Sequence, residues 1–494
     1  MPVRVRYAPS PTGSPHVGNL RTAIYNWLFA RKMGGQFLTR LEDTDRTPGR
    51  YAPEGIWDIE DSLRYLGIVP DEWWVSGGPV GPYVQSERLP LYQEQAEKLI
   101  AAGRAYRCYC TRERLEQMRQ EQQARGVPTG YDRRCRNLSD AERARNEAAG
   151  LPSVVRLAMP LEGQTVVRDV VRGEIVYENA LQDDQVLLKS DGFPTYFLAA
   201  AVDDHLMGIT HIIRGDDWLS SAPKLVQIYE ALGWEPPIFA HAPLIQGADK
   251  KKLGKRHGAT TFVEFIEQGY LPEALFNFLV LLGWSTGEEN REILSIPEMI
   301  ERFSLEGLSE HPAIFDYEKL KWMNGHYIRA SQPGRIIGMC LPYLIKAGYL
   351  SDPPTPEEIE YARRVIPLEI ERLKTLADIV DPERGVGFFF QRLEYPQGYD
   401  EKAVKKWLGV PHLRPMLEKE VTAFDALPAW TAEALDAATH AITDELGVKF
   451  AEVIHPTRVA ATGRTIGPGL FETLWALGKE RTLFRLRSVL QNHI

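Results

Sequence analysis

The sequence predicts an α/β fold in which a parallel sheet is interrupted by an α+β insertion and followed by an all-α C-terminal region. The first observation is a strand, a long helix and a second strand at the start of the chain, an order that forms a βαβ unit and implies parallel strands. The second is the return of this order at residues 209–240, after a stretch of different texture. The third is the scarcity of strand patterns beyond residue 245.

The first βαβ unit is recognised by its apolar spacing and its turn residues. Residues 3–7 have the pattern of a buried strand, and the Pro/Gly-rich loop Ala8–Pro15 follows. Apolar residues then recur at helical spacing over Leu20–Leu28, and two adjacent glycines supply a stop. Gln36–Leu41 is the second strand, and acidic residues follow it directly.

Later segments follow the same two periodicities. The regular alternation of strand and helix patterns stops at about residue 105, where short β-like runs lie among charged loops. We therefore predict an insertion over 105–200. The C-terminal third reads as helices, two of which end at glycines. The predicted helices are 54–66, 88–102, 222–232, 431–446 and 469–477, and the predicted strands are 154–157, 174–177, 186–188, 209–213 and 238–240.

Composition and charge exclude several classes of protein. At 494 residues, the chain is long enough for three or more domains. The net charge of −9 argues against a protein that coats nucleic acid indiscriminately, although a local basic groove is compatible with it. Four cysteines are too few for a disulfide scaffold. No signal peptide or membrane span is predicted, so we expect a cytoplasmic protein without membrane contact.

A phosphate site is predicted where the first helix begins, at His16-Val17-Gly18-Asn19. Free backbone N–H groups and partial positive charge at a helix N-terminus suit a phosphate. Gly18 lets a nucleotide approach the backbone, and His16 adds a side-chain donor. The motif is weak by itself, because a single histidine before a helix is usually a surface or capping residue.

The densest cluster of positive charge lies mid-chain, in KKKLGKRHG (Lys250–Gly258). Its glycines indicate a mobile loop whose ammonium groups could stabilise charge on a polyphosphate, and a solvated surface loop is the alternative. The sequence has neither GxxxxGK[ST] nor GxGxxG, so neither common nucleotide-binding motif is present. The two stretches together are far more specific than either one.

These two stretches resemble the HIGH and KMSKS signatures of class I aminoacyl-tRNA synthetases, and the chain more narrowly resembles bacterial glutamyl-tRNA synthetases. The matching segments occur in family order and span almost the whole chain. Two departures are Gly254, where the family usually has Ser, and Asn19, where the first signature ends in His. The segments are RYAPSPTGSPHVGNLRTAIYNWLFAR (Arg6–Arg31), RLEDTDR (Arg40–Arg46), GPYVQSERLPLY (Gly81–Tyr92), DGFPTYFLAAAVDDHLMGITHIIRGDDW (Asp191–Trp218), KLKWMNGHYIR (Lys319–Arg329) and TGRTIGPGLFE (Thr462–Glu472).

The resemblance implies a two-step reaction. Glutamate attacks the α-phosphate of ATP in the presence of Mg²⁺, giving glutamyl-adenylate and pyrophosphate. The terminal 2′-hydroxyl of tRNA(Glu) then takes the glutamyl group, and whether tRNA(Gln) is also charged stays open. Positioning and electrostatics should dominate the catalysis. By family habit, pyrophosphate exchange needs tRNA, and we expect the enzyme to be a monomer.

The resemblance also implies the order of the domains. A Rossmann-like catalytic core is split by a connective insertion that binds the acceptor end, and helical anticodon-binding subdomains complete the chain. The predicted regions are 1–104 and 201–245 for the two halves of the core, 105–200 for the insertion, 246–330 for a stem-contact region with the KMSKS-like loop, and 331–374 and 375–494 for the two anticodon-binding subdomains.

Residues that would bind glutamate are carried over from the same segments. Arg6 and Arg214 are candidate clamps for the side-chain carboxylate, because a guanidinium offers a planar bidentate fork. Tyr196 would add a hydrogen bond, and Glu42, at the carboxyl end of a parallel strand, suits the α-ammonium group. The α-carboxylate would lie beside Ser10. The predicted set is Arg6, Ala8, Ser10, Glu42, Tyr196 and Arg214.

The predicted catalytic residues are His16 and Lys255, both assigned to the phosphates of ATP. The wider ATP-binding set is His16, Gly18, Asn19, Asp217, Lys252, Lys255 and Arg256. Contacts to tRNA are predicted at four further positions. The first two border the tRNA 3′ end or the ATP, and the last two lie at the anticodon, where an aromatic face can stack an unpaired base. These positions are Asp45, Trp218, Arg458 and Phe471.

A zinc site is a further expectation. Some family members bind zinc through Cys-x-Cys, a later Cys and a His two residues beyond it, and here the fourth position is Asn137, a poor ligand. Cys108, Cys110 and Cys135 remain, and Tyr131 or water could complete a tetrahedral site. Reduced thiols without metal are the alternative.

Two other functions are alternatives to this one. A nucleotidylyltransferase shares an HxGH-type loop and a lysine-rich loop, but it would not need the long helical C-terminal region. A non-catalytic RNA-binding module that kept the fold is disfavoured because His16, Glu42 and Lys255 are all present. The helical texture of the C-terminal third also favours a glutamyl enzyme of bacterial type over a glutaminyl enzyme, whose anticodon domains are β-barrels.

Overall fold

The computed structural model describes residues 2–47, 51–288 and 291–493. These residues form two compact units: the first is drawn from Met1–Phe265 and Leu275–Tyr317, the second from Ile266–Ala274 and Glu318–Ile494. Within the described ranges, every helix is too short or too polar to cross a lipid bilayer.

Eleven strands are found in the described residues, all of them short. They are β1 (Arg4–Tyr7), β2 (Gln36–Thr39), β3 (Ala105–Cys108), β4 (Val154–Leu157), β5 (Gln164–Asp169), β6 (Gly173–Glu178), β7 (Val186–Leu188), β8 (His211–Gly215), β9 (Ile238–Ala242), β10 (Ile245–Gln246) and β11 (Ala313–Ile314).

Helices account for most of the remaining regular structure. In the first part of the chain they are α1 (Val17–Lys32), α2 (Gly55–Tyr65), α3 (Leu89–Ala101), α4 (Arg112–Ala124), α5 (Asp140–Ala148), α6 (Tyr196–Leu206), α7 (Ala222–Leu232), α8 (Phe262–Glu267), α9 (Pro272–Leu281) and α10 (Ile296–Arg302). In the later part they are α11 (Tyr317–Ala330), α12 (Pro333–Lys346), α13 (Pro356–Val365), α14 (Gly387–Phe390), α15 (Glu401–Trp407), α16 (Leu413–Asp425), α17 (Ala432–Leu446), α18 (Ala451–Thr462), α19 (Leu470–Leu477) and α20 (Lys479–Asn492).

The parallel sheet predicted for the first unit is confirmed. β1 and β2 pair in parallel, and so do β8 and β9. The N–H of Thr210 donates to the carbonyl of Arg4 at 2.9 Å, which places the start of β8 beside β1. The predicted helix between β1 and β2 is α1, and its apolar residues are buried against the strands because they recur at helical spacing.

The insertion is joined to the core sheet. β5 and β6 form an antiparallel hairpin, and β5 pairs in parallel with β9 at Asp169 and Phe239, so the strand order is β6-β5-β9-β8. A separate antiparallel sheet in the order β3-β4-β7 completes the insertion. Two predicted boundaries, at 200 and 245, fall inside α6 and β10.

Two helices of the insertion, α4 and α5, were missed by the sequence analysis. Neither buries a residue, so their apolar periodicity is faint. Their start signals are nevertheless present, because Thr111 caps α4, and Ser139 with Glu142 forms a capping box at α5. Capping chemistry identifies such solvent-facing helices when periodicity does not.

The second unit is helical in its described residues, as predicted. Its core includes Ile328 of α11, Leu417 of α16 and Leu486 of α20. The predicted helices 431–446 and 469–477 correspond to α17 and α19. Gly447 ends α17 in the left-handed region with φ of 65°, where glycine has no steric penalty.

Candidate functional site

A cavity of about 590 Å³ lies at the carboxyl ends of β1 and β8 in the first unit, the end at which parallel α/β sheets place their ligands. All six residues predicted to bind glutamate line it, and so does Asp45. They are joined by uncharged polar groups and one further cation. The lining residues are Arg6, Tyr7, Ala8, Pro9, Ser10, Thr12, Asn19, Thr22, Glu42, Thr44, Asp45, Thr47, Gln85, Lys189, Pro194, Thr195, Tyr196, Ile213, Arg214, Gly215 and Trp218.

Arg6 is held from behind by a buried carboxylate. Its Nε donates to Oδ1 of Asp204 at 3.0 Å, and Asp204 is fully buried. Burial disfavours the charged form of Asp204, but Arg6 and Arg40 outweigh that effect and keep its pKa below the usual value. Among the described residues, neither terminal nitrogen of Arg6 has a protein partner, so both remain available to a ligand.

Arg214 is held at all three of its nitrogens. Its Nε donates to Nε2 of His241 at 3.0 Å, Nη1 donates to the hydroxyl of Tyr196 at 2.6 Å, and Nη2 donates to the carbonyl of Trp218 at 3.1 Å. Each terminal nitrogen keeps a second N–H. Because the Tyr196 oxygen accepts from Arg214, its own hydrogen is free to donate to a ligand.

Among the described residues, Glu42 is one of two carboxylates that line the cavity, the other being Asp45. The Oε1 of Glu42 accepts from Nη2 of Arg40 at 2.9 Å. Burial raises the pKa of Glu42, and the cations Arg40 and Arg6 oppose that rise. Arg40 is fully buried and also donates to Asp204 at 2.8 Å. It therefore links the carboxylate of Glu42 to that of Asp204, which holds Arg6.

A wider buried network supports these groups. Arg88 and the hydroxyl of Tyr92 both donate to Asp203, at 2.7 and 2.8 Å. Gln85 donates to the same carboxylate at 2.9 Å and lines the cavity. The charged members balance, with three arginines and three carboxylates, as a buried network requires. These are Arg6, Arg40, Arg88, Glu42, Asp203 and Asp204.

A second cavity of about 480 Å³ adjoins the first, with which it shares Asn19, Thr22, Gly215 and Trp218. It is lined by both predicted catalytic residues, His16 and Lys255. Of the remaining predicted ATP-binding residues, all but Arg256 also line it. The residues that do so are Gly18, Asn19, Asp217 and Lys252.

Backbone hydrogen bonds join the start of α1 to the segment that directly follows Lys250–Gly258. The N–H of Val17 donates to the carbonyl of Thr260 at 2.9 Å, and the N–H of Phe262 donates to the carbonyl of Pro15 at 2.9 Å. His16 caps α1 by accepting from the N–H of Gly18 at 3.2 Å. Burial and the nearby Lys252 lower the pKa of His16. The N-terminus of α1, where a phosphate is predicted to bind, therefore faces the loop Lys250–Gly258, which we call the lysine loop.

Arg256 is the predicted ATP-binding residue that the structure does not bring into either cavity. Its guanidinium lies 3.6 Å from a carboxylate oxygen of Asp249, and its Nε donates to His257 at 3.2 Å. The side chain is 59% exposed. In this conformation it contributes positive charge to the outside of the lysine loop.

Several supporting residues were missed by the sequence analysis. Arg40 lies in a matched segment, yet nothing in its spacing indicates full burial. The pair Asp203-Asp204 gives a clearer signal, because the two acidic residues follow six apolar ones, Phe197–Val202, and α6 is largely buried. Buried charges are kept only where they are paired, so this pattern predicts basic partners. His241 and Asp169 were also missed.

The three cysteines of the insertion come together. The sulfur atoms of Cys108, Cys110 and Cys135 lie within 4.8 Å of one another. The hydroxyl oxygen of Tyr131 lies 3.2 Å from the sulfur of Cys108 and 3.5 Å from that of Cys110. Hydrogen bonds from Cys135 and Tyr131 lower the pKa of Cys108, although burial opposes this. Asn137 is exposed.

The residues predicted to contact tRNA divide between the units. Asp45 and Trp218 line the first cavity, and Trp218 lines the second as well. In the second unit, Nη1 of Arg458 donates to the carbonyl of Pro468 at 2.7 Å. Phe471 is half-buried, with its ring 6.4 Å from that of Phe450.

Comparison with known proteins shows close relatives over the whole chain. Residues 2–322 match the family model for tRNA synthetases class I (E and Q), catalytic domain, and residues 335–490 match that for an anticodon binding domain. Glutamate–tRNA ligase of Desulforudis audaxviator is 46% identical over 486 residues, 98% of this chain and 95% of that protein. The ligase of Moorella thermoacetica is 45% identical over 485 residues, 98% of this chain and 97% of that protein.

A solved structure is similar over its full length. The crystal structure of a glutamate tRNA ligase from Elizabethkingia meningosepticum, in complex with its amino acid, matches this fold with a TM-score of 0.88. The two sequences are 36% identical, and the match covers 100% of both chains.

Proposed function

This chain belongs to the class I tRNA synthetases of the glutamate and glutamine type, and from that premise we propose that it is a glutamate–tRNA ligase. It activates L-glutamate with ATP and transfers the glutamyl group to the 3′-terminal adenosine of tRNA(Glu). The observation that carries the proposal is the pair of adjoining cavities, one with two arginines and a glutamate, the other with a helix N-terminus and a lysine loop. The family assignment also removes the support for a nucleotidylyltransferase.

The first cavity is chemically suited to glutamate. A substrate with two carboxylates and one ammonium group needs cationic contacts for its side-chain carboxylate, an anionic contact for its ammonium group and polar contacts for its α-carboxylate. Arg6 and Arg214 would hold the side-chain carboxylate, with the Tyr196 hydroxyl as a further donor. Glu42 would accept from the ammonium group, and Ala8 and Ser10 would border the α-carboxylate. Neutral glutamine would leave the buried positive charge of the arginines unpaired. The free-energy cost of that unpaired charge would make glutamine bind more weakly than glutamate.

The second cavity is suited to the triphosphate of ATP. The N-terminus of α1 would contact the phosphates, and His16 and Lys255 would stabilise negative charge that develops as pyrophosphate leaves. An oxygen of the glutamate α-carboxylate forms a bond to the α-phosphorus. The bond from that phosphorus to the bridging oxygen breaks, and pyrophosphate keeps the electron pair. Residues shared by the two cavities would place the α-carboxylate beside the α-phosphate.

Mg²⁺ fits this cavity through Asp217. Mg²⁺ in nucleotide sites is usually held by one or two protein carboxylates together with substrate phosphates. Asp217 is the only carboxylate among the described residues that line the second cavity. When bound with ATP, the ion would neutralise part of the phosphate charge.

A structural zinc ion fits the cysteine cluster. In a tetrahedral site with zinc–sulfur bonds of about 2.3 Å, ligand atoms are separated by about 3.7 Å. The sulfurs of Cys110 and Cys135 are 3.5 Å apart, which is close to that separation. The hydroxyl oxygen of Tyr131 also lies 3.5 Å from the sulfur of Cys110. Cys108, Cys110, Cys135 and Tyr131 would hold the ion, with Tyr131 in place of the family's histidine. Zinc there would fix the fold of the insertion.

The tRNA would contact both units. Asp45 and Trp218 would border its 3′ end at the mouth of the first cavity. Arg458 and Phe471 would contact the anticodon in the second unit, where the match to an anticodon binding domain lies. We further propose that the enzyme is cytoplasmic, since its four cysteines are free and its substrates belong to translation, and that it acts as a monomer, as the family resemblance implies.

Two assays test the proposal. ATP–pyrophosphate exchange should respond to glutamate when tRNA(Glu) is present, and it should not respond to glutamine or aspartate. Aminoacylation of separately purified tRNA(Glu) and tRNA(Gln) then shows whether the enzyme discriminates between them. Binding of tRNA without any exchange would instead support the non-catalytic RNA-binding alternative.

A further inference from the structure

A buried chain of three side chains crosses the sheet behind the first cavity. Arg214 of β8 is paired in register with His241 of β9, and Asp169 ends the neighbouring strand β5. The Nε of Arg214 lies 3.0 Å from Nε2 of His241, and Nδ1 of His241 lies 2.6 Å from Oδ2 of Asp169. All three residues are at most 5% exposed. We call this carboxylate–imidazole–guanidinium chain the Asp169 relay.

The chemistry of the groups fixes where the protons lie. The Nε of Arg214 carries a hydrogen and can only donate. His241 must therefore present a lone pair at Nε2, and its ring hydrogen lies on Nδ1, facing Asp169. A doubly protonated ring would lose the bond to Arg214 and place two positive charges side by side. Burial lowers the pKa of His241 against the opposing effect of Asp169, which favours the neutral ring.

Asp169 is itself held rigidly. Its Oδ1 accepts from the N–H groups of Val171 and Arg172, at 2.9 and 2.8 Å, where the hairpin turns into β6. Its Oδ2 also accepts from the backbone N–H of His241 at 3.1 Å. The carboxylate cannot rotate without losing backbone hydrogen bonds, so it keeps the imidazole in one orientation and one tautomer.

We propose that Asp169 and His241 are positioning residues that aim the Arg214 guanidinium at the side-chain carboxylate of an acidic substrate. This inference rests on the proposed function, because it requires Arg214 to bind glutamate. Tyr196 and Trp218 hold the terminal nitrogens of Arg214 from the cavity side, and Trp218 is 41% exposed. The relay holds Nε from the buried side. A guanidinium fixed at both ends loses little freedom when a ligand binds.

The relay also gives the insertion a part in substrate recognition. Asp169 belongs to the predicted 105–200 segment, whereas His241 and Arg214 belong to the core. The pairing of β5 with β9 is what brings the carboxylate to the imidazole. The proposal therefore predicts that glutamate affinity depends on a residue outside the two core halves and outside the cavity lining.

The test compares two variants at His241 in the full-length enzyme. H241F keeps the ring volume without an acceptor for Arg214, whereas H241Q retains a carbonyl acceptor. We expect H241F to raise KM for glutamate in ATP–pyrophosphate exchange about tenfold or more, with KM for ATP and kcat nearly unchanged. H241Q should recover most of that loss. Equal KM values in all three proteins, an equal rise in both variants, or a parallel rise in KM for ATP would overturn the proposal.

A second measurement covers the case in which H241F does not fold. In the wild-type protein with ¹⁵N-labelled histidine, the signal that H241Q lacks should show hydrogen on Nδ1 and a bare Nε2 at pH 7. Hydrogen on Nε2 would overturn the relay. This readout needs no substrate, so it is independent of the exchange assay. A wild-type enzyme without glutamate-dependent exchange would contradict the proposed function, whereas the tautomer measurement would still test the relay.

Discussion

The ammonium group of Lys252 lies 2.9 Å from a carboxylate oxygen of Asp217, although one residue belongs to the mid-chain lysine loop and the other to the turn after β8. Both side chains line the second cavity. They are 66% and 44% exposed, so the ion pair is weak and a phosphate can displace it at little cost. The contact links the lysine loop to the turn after β8 at the edge of the second cavity.

The lysine loop gives the first prediction. Lys255→Ala should lower kcat for pyrophosphate exchange about a hundredfold, because one well-placed donor to developing charge is worth roughly that much. KM for glutamate should change little. Lys251→Ala is the matched control, since Lys251 lies in the same loop but does not line the cavity. An unchanged kcat in the Lys255 variant would refute its role on the phosphates.

The arginine pair gives the second prediction. Arg214→Ala and Arg6→Ala should each raise KM for glutamate by roughly two to four powers of ten, because each removes two hydrogen bonds to a charged group. KM for ATP should rise far less. Arg168→Ala on the exposed side of β5 controls for the loss of an arginine, since its side chain is 85% exposed. Equal rises for both substrates would show that the assignment is wrong.

The fold of the core was predictable because its apolar spacing is regular. β1, α1 and β2 lie at their predicted positions and are largely buried, and α7 occupies the predicted residues 222–232. The pairing of β5 with β9 was not predictable, since it depends on a single contact between strands far apart in sequence. Local periodicity reports which face of an element is buried, and it carries no information about its neighbour in a sheet.

The site was predictable where resemblance supplied the residues. Arg6, Glu42 and Arg214 were assigned in this way, and they line one cavity. The residues behind them were not found, because His241 and Asp169 do not line the cavity and lie outside the quoted motifs. Their contribution depends on distances across three strands, which only a three-dimensional structure provides.

The cysteine cluster gives the third prediction. Protein purified without chelator should contain about one zinc per chain, and Cys110→Ser should abolish this content and lower the melting temperature. Cys340→Ala should keep the zinc, because the buried Cys340 lies outside the cluster. Metal analysis with thermal melting checks both. Absence of zinc from the wild-type protein, or full zinc in the Cys110 variant, would contradict the site.

A buried carboxyl in the second unit gives the fourth prediction. Glu420 of α16 accepts a hydrogen bond from Thr457 at 2.5 Å, and burial raises its pKa to about 8. The folded state therefore keeps a proton that the unfolded state releases above the ordinary value of 4.5. Its contribution to stability is fully present below pH 4.5 and is lost as pH rises toward 8.

Glu420→Gln should remove this pH dependence, because the amide is neutral at every pH. The free energy of unfolding of the variant should gain about 2 kcal/mol relative to wild type between pH 6 and pH 8. Urea unfolding at the two pH values measures the difference. Glu418→Gln, at an exposed position on the same helix, is the control. An identical pH dependence in wild type and the Glu420 variant would contradict the buried protonated carboxyl.

The most direct test of the proposed binding mode is a crystal structure with a stable analogue of glutamyl-adenylate. The side-chain carboxylate should lie between Arg6 and Arg214, the ammonium group at Glu42, and the phosphate within hydrogen-bond reach of the His16 loop. A side-chain carboxylate bound away from both arginines, or an adenylate bound outside the second cavity, would contradict it.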